Sequence, residues 1–439
     1  MRSNAAAFVL TVSVLLCLQV QLQGQETWRR TDPDSAIYLP RGQDDRCNQQ
    51  VNAVLTPRGT FVVVWTMASV EGRLDQRVVV SRSRDRGRTW SRPKVLDGQE
   101  NGNGLLATYG FPFLTPGTGR IYVFYAKNTG QNSVRADITG VCRYKYSDDD
   151  GITWQDGETV GMGRGEFSHA SPEADPNWIG IYSPIVTSRG AVLAGFARYK
   201  AGPDLHKGIP YSQWETEVCF LRFDNILSQR DPHNLRVTVL PESPRGLRVK
   251  RTAQMDWCNE PALIELSDGR LFVVLRTRTG YAYYAHSGDE GKTWTQPAPL
   301  CYTNRGRRIF NPNAPMILRR TAAGKILLLH YINVKNQGTF GKRDPIYLAV
   351  GRETLGRKQP VEFGQSQLFM TVHDERPPEG TTNAQIASYS SLLEHQDRLY
   401  LFYNDSKCYV LFKDVTDVIE KLEGMDDLPQ ERNCDAAAF

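Results

Sequence analysis

Histidine and cysteine are sparse in this chain, and neither is arranged as a set of metal ligands. The 439 residues include 7 histidines and 8 cysteines, and the cysteines lack the CxxC or CxH spacing of zinc sites. The sequence therefore predicts no metal and no cofactor, and excludes a small disulfide scaffold. Seven cysteines follow the N-terminal segment, an odd number that leaves at least one free thiol and room for one or two disulfides: Cys47, Cys142, Cys219, Cys258, Cys301, Cys408 and Cys434.

Long apolar runs are also missing after the N-terminus. No later segment approaches the roughly eighteen uninterrupted apolar residues of a membrane-spanning helix. The first residues, with Arg2 followed by an apolar run that ends near Leu18, have the pattern of a secretory signal peptide at 1–25. We therefore expect a secreted protein, extracellular or periplasmic, without a membrane span.

The chain also lacks a strong net charge of one sign. The formal net charge is +5 and the sequence pI is about 8.7, with basic and acidic residues interspersed. This balance indicates an ordinary mixed surface and no nucleic-acid partner, although it would also suit a polyanionic glycan. We expect a monomer.

One stretch, NEPALIELSDGRLFVVLRTRTGYAYYAHSGDEGKTW at 259–294, shows the unit from which the chain is built. Its apolar runs alternate with period two and are separated by short turns rich in Gly and Asp. Strands of this length joined by such turns predict an antiparallel four-stranded sheet. One such sheet cannot bury both of its faces, so it needs neighbours.

The strand-turn-strand pattern occurs six times along the chain. Its turns fall about 55 to 80 residues apart, at Gly59, Gly119, Gly190, Gly269, Gly324 and Asp397. This period predicts an all-β protein, a six-bladed β-propeller of four-stranded antiparallel blades, as one domain over 26–415. The segment 35–40 is expected to close the last blade as its outer strand, and 416–439 to form a short helix and a C-terminal tail.

Three late turns share the pattern SxDxGxTW: SRDRGRTW at 83–90, SDDDGITW at 147–154 and SGDEGKTW at 287–294. Asp and Gly favour a tight turn, and the Trp is large enough to wedge against a neighbouring sheet. We therefore interpret Asp85, Asp149 and Asp289 as structural residues.

These turns resemble the Asp-box, or BNR repeat, of the sialidase (neuraminidase) superfamily, and the similarity covers about 35–415. The resemblance implies a six-bladed β-propeller with Asp-boxes on the face away from the active site. It also implies a carbohydrate-active enzyme, although some proteins with Asp-boxes have other functions.

The repeat also predicts which residues converge at the propeller axis. The first strand of each blade lines the axis, so the candidates precede the six apolar runs: Gln50, Tyr109 or Phe111, Tyr182, Glu260, Asn313 and Tyr389. A glutamate and a tyrosine across one pocket can form an activated nucleophile, because the carboxylate can accept the phenolic proton.

The resemblance to sialidases assigns roles to matching positions. Glu260, in the NEP segment, matches the base, and Tyr389, in ASYSSL, matches the nucleophile. Arg276 and Arg343 match two arginines of the triad that holds the substrate carboxylate, since guanidinium groups bind carboxylates bidentately. Asp75 falls near the position of the acid/base aspartate.

Two further residues are candidates for substrate binding from the loops that bear them. His169 lies on a long loop of the kind that forms a site rim. Trp257 and Trp178 have two interpretations: each either stacks on a sugar ring from such a loop or packs in the core.

One position departs from the sialidase pattern. Sialidases begin the first blade with Arg-Ile-Pro, whereas this chain has Gln50-Val51-Asn52, and Arg46 could substitute only by moving. The substrate carboxylate would then be held differently, or the substrate would be another sugar.

We expect a sialidase-like exo-acting glycoside hydrolase that removes a terminal acidic sugar from a glycan. One alternative is a polysaccharide lyase or hydrolase on the same fold that acts on a uronate-linked, for example rhamnosyl-glucuronate, glycan. In a lyase, Tyr389 or His169 would abstract the proton α to the carboxylate. The other alternative is a non-catalytic glycan-binding propeller.

Overall fold

Antiparallel β-sheets make up most of the described residues, which in this computed structural model are 36–99, 104–333, 343–373 and 384–423. The expected signal peptide (1–25), the end of the C-terminal tail and Cys434 lie outside these ranges.

Blades 1, 2 and 4 each contain four strands in chain order. The first strand of the chain, β1 (Ala36–Tyr38), precedes them and belongs to the last blade. Blade 1 contains β2 (Cys47–Leu55), β3 (Phe61–Ala68), β4 (Arg77–Ser83) and β5 (Lys94–Gly98). Blade 2 contains β6 (Ala107–Leu114), β7 (Ile121–Lys127), β8 (Val141–Ser147) and β9 (Gln155–Val160).

Blade 3 has a broken inner strand. Both inner pieces pair with the same neighbour, and the predicted axial residue Tyr182 lies in the gap between them. Its strands are β10 (Trp178–Ile179), β11 (Ile185–Val186), β12 (Val192–Tyr199), β13 (Thr216–Phe223) and β14 (Val237–Leu240). A short hairpin of β15 (Lys250–Thr252) and β16 (Met255–Asp256) leads to blade 4, which contains β17 (Cys258–Glu265), β18 (Leu271–Thr277), β19 (Tyr283–Ser287) and β20 (Ala298–Pro299).

Blade 5 carries an extra short strand paired with its third strand. Its strands are β21 (Ile317–Arg320), β22 (Ile326–Tyr331), β23 (Ile346–Glu353), β24 (Val361–Phe363) and β25 (Gln367–Met370). Blade 6 contains β26 (Ser391–His395), β27 (Arg398–Asp405) and β28 (Tyr409–Asp414), and the helix α1 (Thr416–Glu423) follows. The prediction of six antiparallel blades is confirmed, with five strands instead of four in blades 3 and 5.

The two ends of the propeller meet in blade 6. The strand β1 pairs antiparallel with β28, with Ala36 opposite Leu411 and Tyr38 opposite Val410. Blade 6 is therefore completed by residues from the start of the chain, as predicted for 35–40. This pairing closes the ring, and the short strand β1 becomes the outer edge of the last sheet.

The hydrophobic core is divided among the six blade interfaces. Each of six buried clusters is formed by two successive blades, including one between blades 6 and 1. The cluster between blades 3 and 4 contains Val218 and Phe220 from one blade and Val273 and Leu275 from the other. Stability thus depends on contacts between neighbouring repeats, as expected for sheets that cannot bury both faces alone.

The Asp-box turns have one shared geometry. In the second turn, the Asp149 carboxylate accepts hydrogen bonds from the Ser147 hydroxyl at 2.8 Å and from the Thr153 amide at 2.8 Å. The indole of Trp154 donates to the Gly151 carbonyl at 3.1 Å. The same bonds occur in the other two boxes.

The Asp-box tryptophans pack on the preceding blade, as predicted. The ring of Trp294 stacks on that of Phe220 in blade 3, with centroids 4.4 Å apart. Trp90 makes edge contacts with Phe402 and Phe412 of blade 6. The three aspartates therefore maintain turns that position an interblade wedge, in agreement with a structural role.

Five cysteines in the described part of the chain are buried free thiols: Cys47, Cys142, Cys219, Cys258 and Cys408. No helix among the described residues is long and apolar enough to cross a membrane.

Candidate active site

Four of the predicted axial residues have an unusual backbone conformation. Gln50, Tyr109, Glu260 and Tyr389 have positive φ angles of 55°, 58°, 42° and 63°. The first three lie where the register between the first and second strands of a blade shifts by one residue, as in a β-bulge. A bulge changes the direction of a side chain, and positive φ in a residue other than Gly costs free energy. Backbone strain is therefore present at four of the positions that the repeat places at the axis.

The first strands of all six blades surround one axial cavity of about 570 Å³. Its lining includes one or more residues from each blade, among them Asn52, Pro112, Tyr182, Pro261, Ile317 and Ser390. Glu260 and Tyr389 directly precede two of these lining residues but do not line the cavity themselves. The strands thus bring side chains from distant parts of the chain to a common centre.

Arg276 connects Glu260 to Tyr389. Its Nη1 forms an ion pair with Glu260 Oε2 and donates a hydrogen bond to the Tyr389 hydroxyl at 3.4 Å. The side chains of Glu260 and Arg276 are only 2% and 4% exposed. A carboxylate and a phenol that contact the same nitrogen need only a small adjustment to reach hydrogen-bond distance from one another.

Asn313 and Arg343 complete the group. Asn313 Oδ1 accepts a hydrogen bond from Arg276 Nε at 2.7 Å, and its backbone carbonyl accepts one from Arg343 at 3.1 Å. Arg343 also donates to Gln385 at 3.2 Å, and its guanidinium carbon lies 5.6 Å from the centre of the Tyr389 ring. We call Glu260, Arg276, Asn313, Arg343 and Tyr389 the axial cluster.

Two other phenols near the axial cluster remain protonated. Burial raises the pKa of Tyr182 well above its ordinary value, and the negative charge of Glu260 raises it further. The same two causes, in the same order, raise the pKa of Tyr199, whose hydroxyl accepts a hydrogen bond from Asn259 at 2.7 Å. Neither phenol receives the hydrogen bond from Arg276 that the Tyr389 hydroxyl receives.

A second ion pair flanks Tyr389. The ammonium of Lys407 lies 5.2 Å from the centre of the Tyr389 ring and donates to Glu71 Oε2 at 2.6 Å. Burial opposes the ionisation of Glu71, but the charge and hydrogen bond of Lys407, with Arg343 and Arg135 farther away, lower its pKa to about 2. Glu71 is therefore a carboxylate near Tyr389 that is held ionised by its cation.

Asp75 lies in the same loop as Glu71, between β3 and β4, but it is bound within that loop. Its Oδ2 accepts a hydrogen bond from the Ser69 amide at 2.9 Å, and its Oδ1 is buried without a hydrogen-bond partner. With Arg46 it lines a separate cavity of about 610 Å³. Arg46 Nε donates to the Gly42 carbonyl at 3.3 Å. The acid/base role of Asp75 stays a prediction, and Glu71 is the carboxylate of this loop that is paired beside Tyr389.

Gln50 places no positive charge at the axis. Its side chain is buried, and its Oε1 has no hydrogen-bond partner. The amide of the next residue, Val51, donates to the Tyr389 carbonyl at 2.8 Å, which places Gln50 beside the nucleophile candidate. The cation between blades 6 and 1 is Lys407, whose carbonyl accepts a hydrogen bond from Asn48 at 2.6 Å.

His169 takes part in bonds within its own loop. Its Nδ1 accepts a hydrogen bond from the Ser171 amide at 3.0 Å, and its carbonyl accepts one from Arg164. The adjacent Phe167 packs against Arg248, whose guanidinium carbon lies 3.9 Å from the ring centre. The hydrogen bonds of His169 thus stay within its loop and do not join it to the axial cluster.

Trp257 is a buried support and not an open sugar platform. The side chain is 2% exposed. The guanidinium carbons of Arg276 and Arg278 lie 5.3 and 6.0 Å from its ring centre. An indole covered in this way holds the arginines by packing and cation–π attraction, so of the two interpretations of Trp257 the structure favours packing.

Sequence reasoning missed Glu71, Lys407 and Tyr211. Tyr211 accepts a hydrogen bond from Asn313 at 2.7 Å, and Arg278 lies over its ring. Glu71 and Lys407 are 336 positions apart, and no repeat or motif relates them. Lys407 lies in the tight turn between β27 and β28, where Ser406 and Lys407 both have positive φ.

A family model described as a BNR repeat-like domain matches residues 59–401. No curated protein sequence matches the chain. Several solved structures do match, at low sequence identity.

The Hadza microbial sialidase Hz136 is 18% identical, with a TM-score of 0.53 over 84% of this chain and 66% of its own length. The leech intramolecular trans-sialidase is 14% identical, with a TM-score of 0.59 over 88% of this chain and 70% of its own. The intramolecular trans-sialidase from Ruminococcus gnavus is 15% identical, with a TM-score of 0.56 over 91% of this chain and 99% of its own. At these identities the similarity shows the fold, and the chain spans slightly less than two thirds of the Hadza enzyme.

Proposed function

Because the chain belongs to the BNR repeat-like family of the sialidase superfamily, we propose that it is an exo-acting glycoside hydrolase that removes a terminal acidic sugar from a glycan. One observation carries this proposal. A single nitrogen of Arg276 contacts both the Glu260 carboxylate and the Tyr389 hydroxyl at the propeller axis. A phenol with a nearby carboxylate can be activated as a nucleophile, since the carboxylate accepts its proton.

In the proposed reaction, Tyr389 Oη attacks the anomeric carbon while Glu260 accepts the phenolic proton. The bond from the anomeric carbon to the leaving oxygen breaks, and that oxygen takes a proton from an acid of the loop between β3 and β4. Asp75 is the candidate from the sequence and Glu71 the candidate from the geometry, because Glu71 is paired with Lys407 beside the Tyr389 ring. Water, activated by the same acid in its ionised form, then hydrolyses the tyrosyl intermediate.

Arg276 and Arg343 are proposed to bind the substrate carboxylate. Both side chains belong to the axial cluster, and both are almost fully buried. Buried guanidinium groups are costly to desolvate, so a site for a neutral sugar would gain little from them. Their planar donor geometry suits a carboxylate.

The proposal can be tested by product analysis on a panel of glycans that end in sialic acid or in uronate. Hydrolysis should release a free acidic sugar, and the two products together should gain the mass of one water. Tyr389→Phe should lower kcat/KM by about three powers of ten or more, because the nucleophile is removed. Tyr146→Phe, which removes a hydroxyl bonded to Gln155 in blade 2, is the matched control and should retain activity. A Tyr389→Phe enzyme that hydrolyses as fast as the parent would exclude this mechanism.

A second candidate is a lyase for uronate-linked glycans, and the neutral Gln50 beside Tyr389 favours it. In that reaction an arginine neutralises the uronate carboxylate and Tyr389 abstracts the proton α to it. The same product analysis separates the two reactions, because a lyase leaves an unsaturated uronate that absorbs in the ultraviolet and adds no water. Binding without either product would indicate a glycan-binding propeller.

A further inference from the structure

The two ion pairs beside Tyr389 differ in their exposure. The pair of Glu260 and Arg276 is almost fully buried, with side chains 2% and 4% exposed. In the pair of Glu71 and Lys407, the lysine side chain is 9% exposed but the glutamate is 39% exposed. Breaking a buried pair leaves an uncompensated charge, whereas a carboxylate that is partly in water can leave its partner at low cost. The pair of Glu71 and Lys407 is therefore the one that can open.

Lys407 occupies the side of Tyr389 where blade 1 provides no cation. Its ammonium and the guanidinium of Arg343 lie 5.2 and 5.6 Å from the centre of the Tyr389 ring, and Arg276 contacts the hydroxyl. Gln50, the axial residue of blade 1, is neutral. The tight turn that carries Lys407 is strained, with φ angles of 54° and 51° at Ser406 and Lys407. Such strain is retained where the surrounding structure requires that geometry.

Building on the proposed function, we propose that the Glu71–Lys407 pair exchanges partners when substrate binds. The carboxylate of the acidic sugar takes the place of Glu71 on Lys407, and the released Glu71 becomes the proton donor for the leaving oxygen. Lys407 would thus supply the carboxylate contact that Gln50 does not provide, and the donor would be ready only after an acidic substrate has bound.

The exchange has a consequence for protons. In the free enzyme, Lys407, Arg343 and Arg135 outweigh the effect of burial and keep the pKa of Glu71 near 2. The charge of Glu71 is also felt by Tyr109 and by the Cys47 thiol, which face it from blades 2 and 1. Once a substrate carboxylate neutralises Lys407, Glu71 loses the charge and hydrogen bond that lower its pKa most, so the pKa of Glu71 rises. Glu71 then takes up one proton from the solvent, and that proton later passes to the leaving oxygen as the glycosidic bond breaks.

Proton uptake on binding is measurable without turnover. We would titrate the enzyme with free N-acetylneuraminic acid by calorimetry between pH 4 and 6, in buffers of different ionisation enthalpy. The parent should take up protons as it binds, at most one per bound sugar from Glu71, and its affinity should rise as the pH falls. Glu71→Gln should bind without this uptake. Lys407→Met should bind about tenfold or more weakly, since it loses one charged contact.

Lys145→Met is the matched control, because Lys145 forms an ion pair of the same length, 2.6 Å, with Asp156 on the outside of blade 2. It should bind as the parent does and take up the same proton. Thermal unfolding of each variant checks that it is folded, and Glu71→Gln provides the decisive comparison if Lys407→Met does not fold.

The outcomes separate the exchange from the proposed function. If the parent binds the sugar without proton uptake and Lys407→Met binds equally well, the exchange is wrong while the axial cluster can still be the carboxylate site. If neither N-acetylneuraminic acid nor glucuronic acid binds to the parent, the acidic-sugar function is wrong and the exchange fails with it.

Discussion

Asn313 orients Arg276: its Oδ1 accepts a hydrogen bond from the Nε of the arginine at 2.7 Å. The same amide donates to the Tyr211 hydroxyl at 2.7 Å. Both polar atoms of the Asn313 side chain are thus used, and the guanidinium is directed so that its Nη1 reaches Glu260 and Tyr389. The orientation of the arginine that contacts the proposed base and nucleophile therefore depends on a neutral side chain from another blade.

Replacing Asn313 by Ala should lower kcat/KM by roughly one to two powers of ten, because a buried Nε–H of Arg276 loses its acceptor and the guanidinium is free to rotate. Steady-state kinetics on an acidic substrate measures the effect, with most of it expected in kcat. Asn225→Ala is the control, since its side chain bonds the backbone of an outer loop of blade 3. Unchanged kinetics in Asn313→Ala would contradict the positioning role.

Arg276→Ala should affect acidic substrates selectively. Loss of a charged carboxylate contact costs a few kcal/mol, so kcat/KM should fall by roughly two to three powers of ten. A neutral isostere, in which a carboxamide replaces the carboxylate, should lose much less. Glu260 is also left buried and unpaired, so the free energy of unfolding should fall by about 3 to 5 kcal/mol. Equal losses on both substrates would disagree with carboxylate recognition.

Asp149→Ala should destabilise the fold and leave the chemistry of the folded enzyme intact. The carboxylate accepts bonds from Ser147, Ile152 and Thr153 within one turn, and their loss should cost about 1 to 3 kcal/mol in the free energy of unfolding. Denaturant unfolding measures this, with Asp156→Ala, an exposed carboxylate of the same blade, as the control. A large fall in kcat without loss of stability would point to a direct role in catalysis instead.

Ile37→Ala tests the closure of the ring. Ile37 of β1 is buried in the cluster between blades 6 and 1, so its truncation should lower the free energy of unfolding by about 2 to 4 kcal/mol. Leu39, two residues later, is exposed, and Leu39→Ala should change stability by less than about 0.5 kcal/mol. Comparable effects of the two substitutions would argue against packing of β1 as the source of closure stability.

His330 should make stability depend on pH in the mildly acidic range. Burial lowers the pKa of its imidazole to about 4, although hydrogen bonds to the backbone at Phe310 and Tyr331 oppose the shift. The unfolded chain, with an ordinary pKa near 6.5, binds the proton more readily, so this contribution is present above about pH 6.5 and is lost as the pH falls toward 4. Between pH 7 and 5 the loss should be about 2 kcal/mol.

Chemical unfolding at several pH values measures this dependence, and His330→Gln should reduce the slope between pH 7 and 5. His286, which is only partly buried on β19 of blade 4, provides the control, since His286→Gln should leave most of the slope. A parent protein whose stability is flat from pH 7 to 5 would contradict the assignment to His330.

Much of the fold could be predicted because the information is local and repeated. The six predicted turn residues, from Gly59 to Asp397, all have positive φ, since Gly and Asp tolerate that conformation better than other residues do. The broken inner strand of blade 3 could not be foreseen. The apolar run after Pro184 looks like the first strands of the other blades. Nothing in it indicates that the inner strand is interrupted at Tyr182 and divided into β10 and β11.

The axial cluster was only partly accessible to sequence reasoning. Positions such as Glu260 and Tyr389 follow from their register in the repeat, because the first strand of every blade lines the axis. Lys407 lies in the hairpin between β27 and β28. Its contact with Glu71 depends on how blades 6 and 1 are joined. For Trp257, the sequence predicts a position near the site but not whether the ring is exposed. An aromatic residue beside a predicted site has the same local sequence in either case.

The pairing of β1 with β28 also determines when blade 6 can be completed during biosynthesis. The strand that completes blade 6 leaves the ribosome before all six blades, and its partner leaves after them. Until the last hairpin has emerged, blade 1 and blade 6 each have an uncovered face and blade 6 lacks its outer strand. Unpaired sheet edges are the surfaces through which chains associate wrongly during folding. The nascent propeller is thus most exposed to aggregation in the interval between the synthesis of blade 1 and the arrival of its C-terminal strand.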